Sequence, residues 1–179
     1  WTFSTSNKGM LDYGVSALAI DPADPKIIYA GGSSGELFKS TDAGQNWINL
    51  TERLQVQNNR YPGNIHGITL HPAEGGTLYL FADNSGLMMS RDNGNTWQRL
   101  GSPPGQEQSW FMSVGIALDP QLTLITAVER AGGWRYSIEA VPVVPTPTLA
   151  PATAAAAGPL FPAGTWQAVT ELPREINTF

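Results

Sequence analysis

The octapeptide Ser-x-Asp-x-Gly-x-x-Trp is written twice, as STDAGQNW from Ser40 to Trp47 and as SRDNGNTW from Ser90 to Trp97. No other feature restricts the fold as strongly. A chain that returns to one polar, glycine-bearing corner at a regular interval is building one structural unit repeatedly. The surroundings of the corners repeat with them. An apolar run ends in Asp21-Pro22 in the first unit and in His71-Pro72 in the second, and Tyr29 and Tyr79 follow at the same spacing. Gly35 and Gly86 then precede short hydrophobic stretches. A third unit opens at MSVGIALDP, with Asp119-Pro120, and its octapeptide starts at Ser137 with Glu139 in place of Asp.

The third unit is interrupted. VPVVPTPTLAPATAAAAGPLFP intervenes before AGTWQAV supplies Trp166, and GTWQAV stands beside NTWQRL of the second unit. Residues 141–163 therefore read as a Pro/Ala/Thr-rich insertion within one repeat. Its composition offers too few large apolar groups to pack, and suits an extended, semi-rigid loop. Trp1, in WTFS, resembles the closing strand of a unit that began earlier, so a leader or upstream region is expected to precede this chain.

Within each unit the periodicity is that of strands. VSALAI, KIIYAG, ELFKS and WINL are short runs rich in β-branched and aromatic residues, separated by Gly, Asp, Asn and Pro. The 19 glycines and 14 prolines agree with many turns, and no segment carries a long apolar stripe at helical spacing. Four short antiparallel strands per unit of ~40–50 residues describe a β-propeller blade. The expected fold is all-β, with blades over 1–140 and 164–179: about three, plus part of a preceding one. Three blades do not close a ring. Further blades, or another chain, are expected to cover the open ends.

The octapeptide resembles the Asp-box, or BNR, repeat found in sialidases, xyloglucanases, sortilin-type receptors and the photosystem II assembly factor of cyanobacteria and chloroplasts. The resemblance covers 1–140 and 164–169, and it implies a propeller while saying little about activity. A physical role for the corner follows from its residues. Asp42 and Asp92 can accept hydrogen bonds from following amides. Gly44 and Gly94 admit a positive φ. Ser40 and Ser90 add a hydroxyl, and Trp47 and Trp97 plug the space between sheets. The competing reading is a calcium site, for which one carboxylate per loop is poor, since calcium takes six to eight oxygens. The structural role is the expected one.

Binding, if present, is expected where the loops entering each innermost strand meet the loops between the second and third strands. These loops carry Tyr13, Arg60, Tyr61, Trp110 and Phe111, with Asp83, Glu129 and Arg130 as polar companions. Aromatic platforms beside such groups suit sugar stacking or a protein hot spot. The competing reading has these aromatics stapling strand entries into the blade packing. Asp12, Asp83 and Glu129 are the carboxyls a glycosidase pair would draw on. The arginine motif of a sialidase-like site is absent, and no catalytic residue is expected in this piece. His66 and His71 read as structural.

The remaining composition is restrictive. Cysteine is absent, which removes disulfides and thiolate chemistry, and no cofactor or metal is expected. The net charge of −5 argues against nucleic acid, and no apolar run reaches the ~20 residues of a membrane span. The leading expectation is a non-enzymatic propeller scaffold or binding module for a partner protein or a glycan. It is expected to act outside the cytoplasm of a bacterium, perhaps as an accessory or assembly subunit of a larger complex. The alternative is a fragment of a secreted glycoside hydrolase with its catalytic residues on blades elsewhere.

Overall fold

The structure, a computed structural model, describes residues 14–54, 62–107, 110–117, 122–138 and 164–169. They form three four-stranded antiparallel sheets, each a β-propeller blade. Blade 1 comprises β1 (Val15–Ile20), β2 (Ile28–Gly32), β3 (Leu37–Ser40) and β4 (Ile48–Asn49), followed by a 3-10 turn at Thr51–Leu54. Blade 2 comprises β5 (Ile65–Leu70), β6 (Leu78–Ala82), β7 (Gly86–Ser90) and β8 (Gln98–Gly101). Blade 3 comprises β9 (Phe111–Ala117), β10 (Thr123–Val128), β11 (Gly132–Ile138) and β12 (Gly164–Val169). The fourth strand of blade 3 pairs Trp166 with Tyr136. Residues 1–13, with the proposed part of a preceding blade, and 141–163, the proposed insertion, lie outside the described residues.

Alternation of side chains across a strand explains why the middle blade is the most apolar. Every residue of β6 and β7 is buried. Leu78, Leu80, Ala82 and Met88 face blade 1, in a core that also holds Tyr29, Leu37, Leu54 and Trp97. Tyr79, Phe81, Leu87 and Met89 face blade 3, where Phe111, Leu124 and Tyr136 complete a second core. Blade 2 is thus sandwiched, and its two faces need two sets of apolar residues.

The seams between blades are tight. A Cβ on Gly31 would come within 2.6 Å of Ile65, and one on Gly67 within 2.6 Å of the Val114 backbone nitrogen. The Ser16 hydroxyl crosses the first seam to donate to the Ile65 carbonyl at 2.8 Å. Each inner strand also carries a bulge. The ladder skips one residue between Val15 and Ala17, one between Ile65 and Gly67, and one between Phe111 and Ser113. Ser16, His66 and Met112 are the skipped residues. A bulge re-aims a side chain without breaking the strand.

The two ends of a blade are bonded differently. At one end the β3–β4 corner is tied to the β1–β2 connection, Ala43 N donating to Lys26 O and Asn93 N to Gly76 O. At the other end the β2–β3 connection is tied to the lead-in of β1, β5 or β9. Ser33 N donates to Gly14 O, Asp83 N to Asn64 O and Glu129 N to Trp110 O.

Candidate functional site

At the corner end, each aspartate is saturated by its own loop. Ser40 Oγ donates to Asp42 Oδ1 at 2.9 Å, Asn46 N donates to the same oxygen at 2.8 Å, and Asn46 Nδ2 donates to Oδ2 at 2.6 Å. The Asn46 side-chain amide, then its backbone N–H, pull the Asp42 carboxyl down to about 2. Asp92 repeats the pattern with Ser90 Oγ at 2.8 Å, Asn95 N at 3.0 Å, Thr96 N at 2.8 Å and Thr96 Oγ1 at 2.6 Å. Partial burial opposes its ionisation. The Thr96 hydroxyl and N–H and the Ser90 hydroxyl outweigh that, so Asp92 also lies below the usual carboxylate value. Gly44 N and Gly94 N each donate to the serine hydroxyl of their corner at 2.9 Å.

This arrangement surrounds both carboxylates with N–H and O–H donors, the polarity that repels a cation. Two consecutive residues in each corner have positive φ: Ala43 at 58° with Gly44 at 84°, and Asn93 at 63° with Gly94 at 82°. The second corner also closes the first seam, accepting from Tyr29 Oη at 3.2 Å on the Asn93 carbonyl and from Lys39 Nζ at 3.2 Å on Asn93 Oδ1. Trp97 is buried there, its indole donating to the Gly94 carbonyl at 3.1 Å. Trp47 is only half-buried. His71 takes the place of Asp21 in the β1–β2 type of turn. Its Nδ1 accepts from Ala73 N at 3.2 Å and Glu74 N at 2.9 Å, as Asp21 Oδ1 accepts from Ala23 N and Asp24 N.

At the opposite end, the lead-in and β2–β3 loops form one continuous rim. The loop at Gly35 packs on Gly63 of the next blade, where an added Cβ would meet the Gly63 carbonyl at 2.9 Å. Gly63 in turn packs on Asp83 and Asn84. Trp110 is 67% exposed, with its carbonyl bound by Glu129 N at 2.9 Å. Arg130 is exposed, sits in the left-handed region at φ 61°, and holds its Nε 3.7 Å from Glu129 Oε1. Trp110, Glu129 and Arg130 therefore share the mouth of blade 3.

Phe111 requires a correction. Expected on the open rim, it is fully buried, its ring centroid 3.9 Å from that of Phe81. It is opposite Val128 in the ladder, and so on the blade 2 side of its sheet. Tyr13, Arg60 and Tyr61 lie outside the described residues. Asp83 is not free either: its Oδ1 lies 2.5 Å from His66 Nε2, and both side chains are partly sheltered. His66 reaches it because it is the bulged residue of β5. Sequence reasoning placed His66 on an inner strand but did not pair it with Asp83, since nothing in a strand pattern marks a bulge. Among the described residues no group of three or more His, Asp or Glu is placed to hold a metal.

No protein-family model matches the chain. By sequence it is similar to a xyloglucanase of Paenibacillus sp., 34% identical over 103 residues, covering 51% of this chain and 10% of that protein. The xyloglucanase Xgh74A of Acetivibrio thermocellus is 33% identical over 104 residues, covering 51% and 12%. The chain thus spans roughly a tenth of the length of these curated relatives. Among solved structures, the Niastella koreensis GH74 enzyme superposes with a TM-score of 0.53 at 22% identity, covering 69% of this chain and 20% of that one. That likeness supports the propeller fold.

Proposed function

We propose that this chain is a carbohydrate-binding section of a β-propeller, itself non-catalytic, that lays a β-glucan chain of the xyloglucan type along the loop rim. The observation that carries the reading is the exposed indole of Trp110, beside Glu129 and Arg130. An aromatic face left in water next to charged hydrogen-bonding groups matches a pyranose ring, which has an apolar face and a polar edge. Asp83 and His66 continue that polar line on blade 2. The similarity to xyloglucanases supplies the polymer class, and a polymer of that kind is met outside the cytoplasm.

Two features favour binding over hydrolysis. A glycosidase needs one carboxyl kept protonated and a second one free. Asp83 is paired with His66, while Asp42 and Asp92 are pulled the opposite way and belong to the corners. A second reading has these blades forming part of a longer xyloglucan hydrolase whose acids lie on other blades, and the sequence relatives favour it.

Affinity electrophoresis in gels carrying xyloglucan, mixed-linkage β-glucan or mannan, run beside a reducing-sugar assay, tests the proposal. The expected result is retardation by xyloglucan, loss of retardation in Trp110→Ala, and no sugar release. Release of sugar by this chain would sink the non-catalytic assignment. Equal migration in every gel would sink the binding itself.

A further inference from the structure

The chain contains two complete blade seams and the two halves of a third. At each complete seam, one position of the second strand receives the first residue of the next inner strand. Gly31 receives Ile65, and Phe81 receives Phe111. The ladder places Ala127 of β10 at the same position, opposite Ser113 as Phe81 is opposite Gly67. Ala127 lines a depression of about 780 Å³ on the far face of blade 3, with Ser113, Gly115, Ile125, Gly133 and Val169. A Cβ on Gly115 would meet nothing within 4 Å.

The complementary half lies on the far face of blade 1. Val15, Leu18 and Ile20 are 45%, 64% and 58% exposed. Their counterparts in blade 2, Ile65, Ile68 and Leu70, are 0%, 6% and 8% exposed because blade 1 covers them. The face of blade 1 therefore has the chemistry of a blade-covered face without a blade on it.

We infer that a second copy of this chain closes the ring head-to-tail, blade 3 of each copy packing on blade 1 of the other to give a six-bladed propeller. Two aspects of the faces select this occupant. First, the pair that would meet, Ala127 and Val15, has the same number of side-chain carbons as the Gly31–Ile65 pair of the first seam, so the volumes match at the tightest point. Second, Arg135 holds in blade 3 the position that Lys39 holds in blade 1, and it faces the open side. Lys39 crosses its seam to the corner of the next blade, at Asn93. Arg135 would cross to the corner containing Asp42, an ionised acceptor. Six blades fall within the range that propellers close with, and a two-fold ring uses both open faces and leaves no free edge to grow into a filament. The inference does not rest on the glycan reading.

Leu18 would lie over Ala127, as Ile68 lies over Gly31, where an added Cβ would meet its Cδ1 at 3.3 Å. This gives a charge-swap test by analytical ultracentrifugation, with circular dichroism to check that each variant is folded. The wild-type chain is expected at twice the monomer mass. Leu18→Asp alone and Ala127→Arg alone are each expected to weaken the dimer at least tenfold. Mixed in equal amounts, they are expected to restore it, because one seam is then wild-type and the other pairs Asp with Arg. A monomeric wild-type chain at micromolar concentration overturns the inference. So does a dimer that neither variant weakens, or two folded single variants that stay monomeric when mixed.

Discussion

Asp92→Ala separates a structural corner from a ligand site. In the folded chain the Asp92 carboxylate accepts from Ser90 Oγ, Asn95 N, Thr96 N and Thr96 Oγ1, all within 3.0 Å. A sheltered hydrogen bond to a charged acceptor contributes about 1.5–3 kcal/mol. This corner is open to water on one side, which lowers each bond toward the ~0.5 kcal/mol of an exposed pair. Four such bonds sum to about 2 kcal/mol, a large part of the 5–15 kcal/mol that holds a domain folded. The expected loss lowers the melting temperature by roughly 4–8 °C for a chain of this size. Urea unfolding followed by tryptophan fluorescence and circular dichroism would measure it. Asp92→Asn keeps one oxygen for the two backbone amides, loses the charge, and is expected to fall between wild type and Asp92→Ala. An unchanged midpoint in Asp92→Ala, or a loss that added calcium modulates in the wild type only, refutes the reasoning.

Three further perturbations probe the same frame. Ala43→Gly relieves a left-handed alanine that costs ~1 kcal/mol or more, less the entropy glycine adds to the unfolded chain, so a gain of about 0.5 kcal/mol is expected in urea melts. Gly67→Val puts a Cβ and two methyls against the Val114 backbone and is expected to cost at least 3 kcal/mol, read as a lower melting temperature. Acid unfolding should expose Asp42, whose folded carboxyl titrates at about 2 against an ordinary 3.8. Between those values the unfolded chain binds the extra proton, so this stabilisation is whole above about pH 4 and lost as the pH falls toward 2. Asp42→Asn should be less stable near pH 6 and show a shallower fall over that acid window.

Much of the fold could be read from the repeat because its signals are local. An Asp, a Gly and a Trp at fixed spacing define a hairpin, and the matching GTWQAV segment pointed to the strand that pairs with β11. The rim was less legible. Trp110 and Phe111 are adjacent aromatics of similar hydrophobicity, yet one is exposed and the other is stacked on Phe81 in the second core. That choice depends on the ladder register and on a bulge, and neither has a compositional mark. The same holds for His66, which meets Asp83 only because a bulge frees it from the ladder. Ala43 shows a third limit: alanine carries no sign of the left-handed conformation that the corner imposes on it.

The account rests on a division of labour between the two ends of the blades, corners for architecture and loop rim for recognition. Nuclear magnetic resonance of the 15N-labelled chain, titrated with a xyloglucan oligosaccharide, tests it most directly. The predicted result is movement of the Trp110 indole signal and of amides in residues 33–36, 83–86 and 129–132, while residues 40–47 and 90–97 stay still. Shifts concentrated at Asp42, Gly44, Asp92 and Gly94, with Trp110 unmoved, would contradict it.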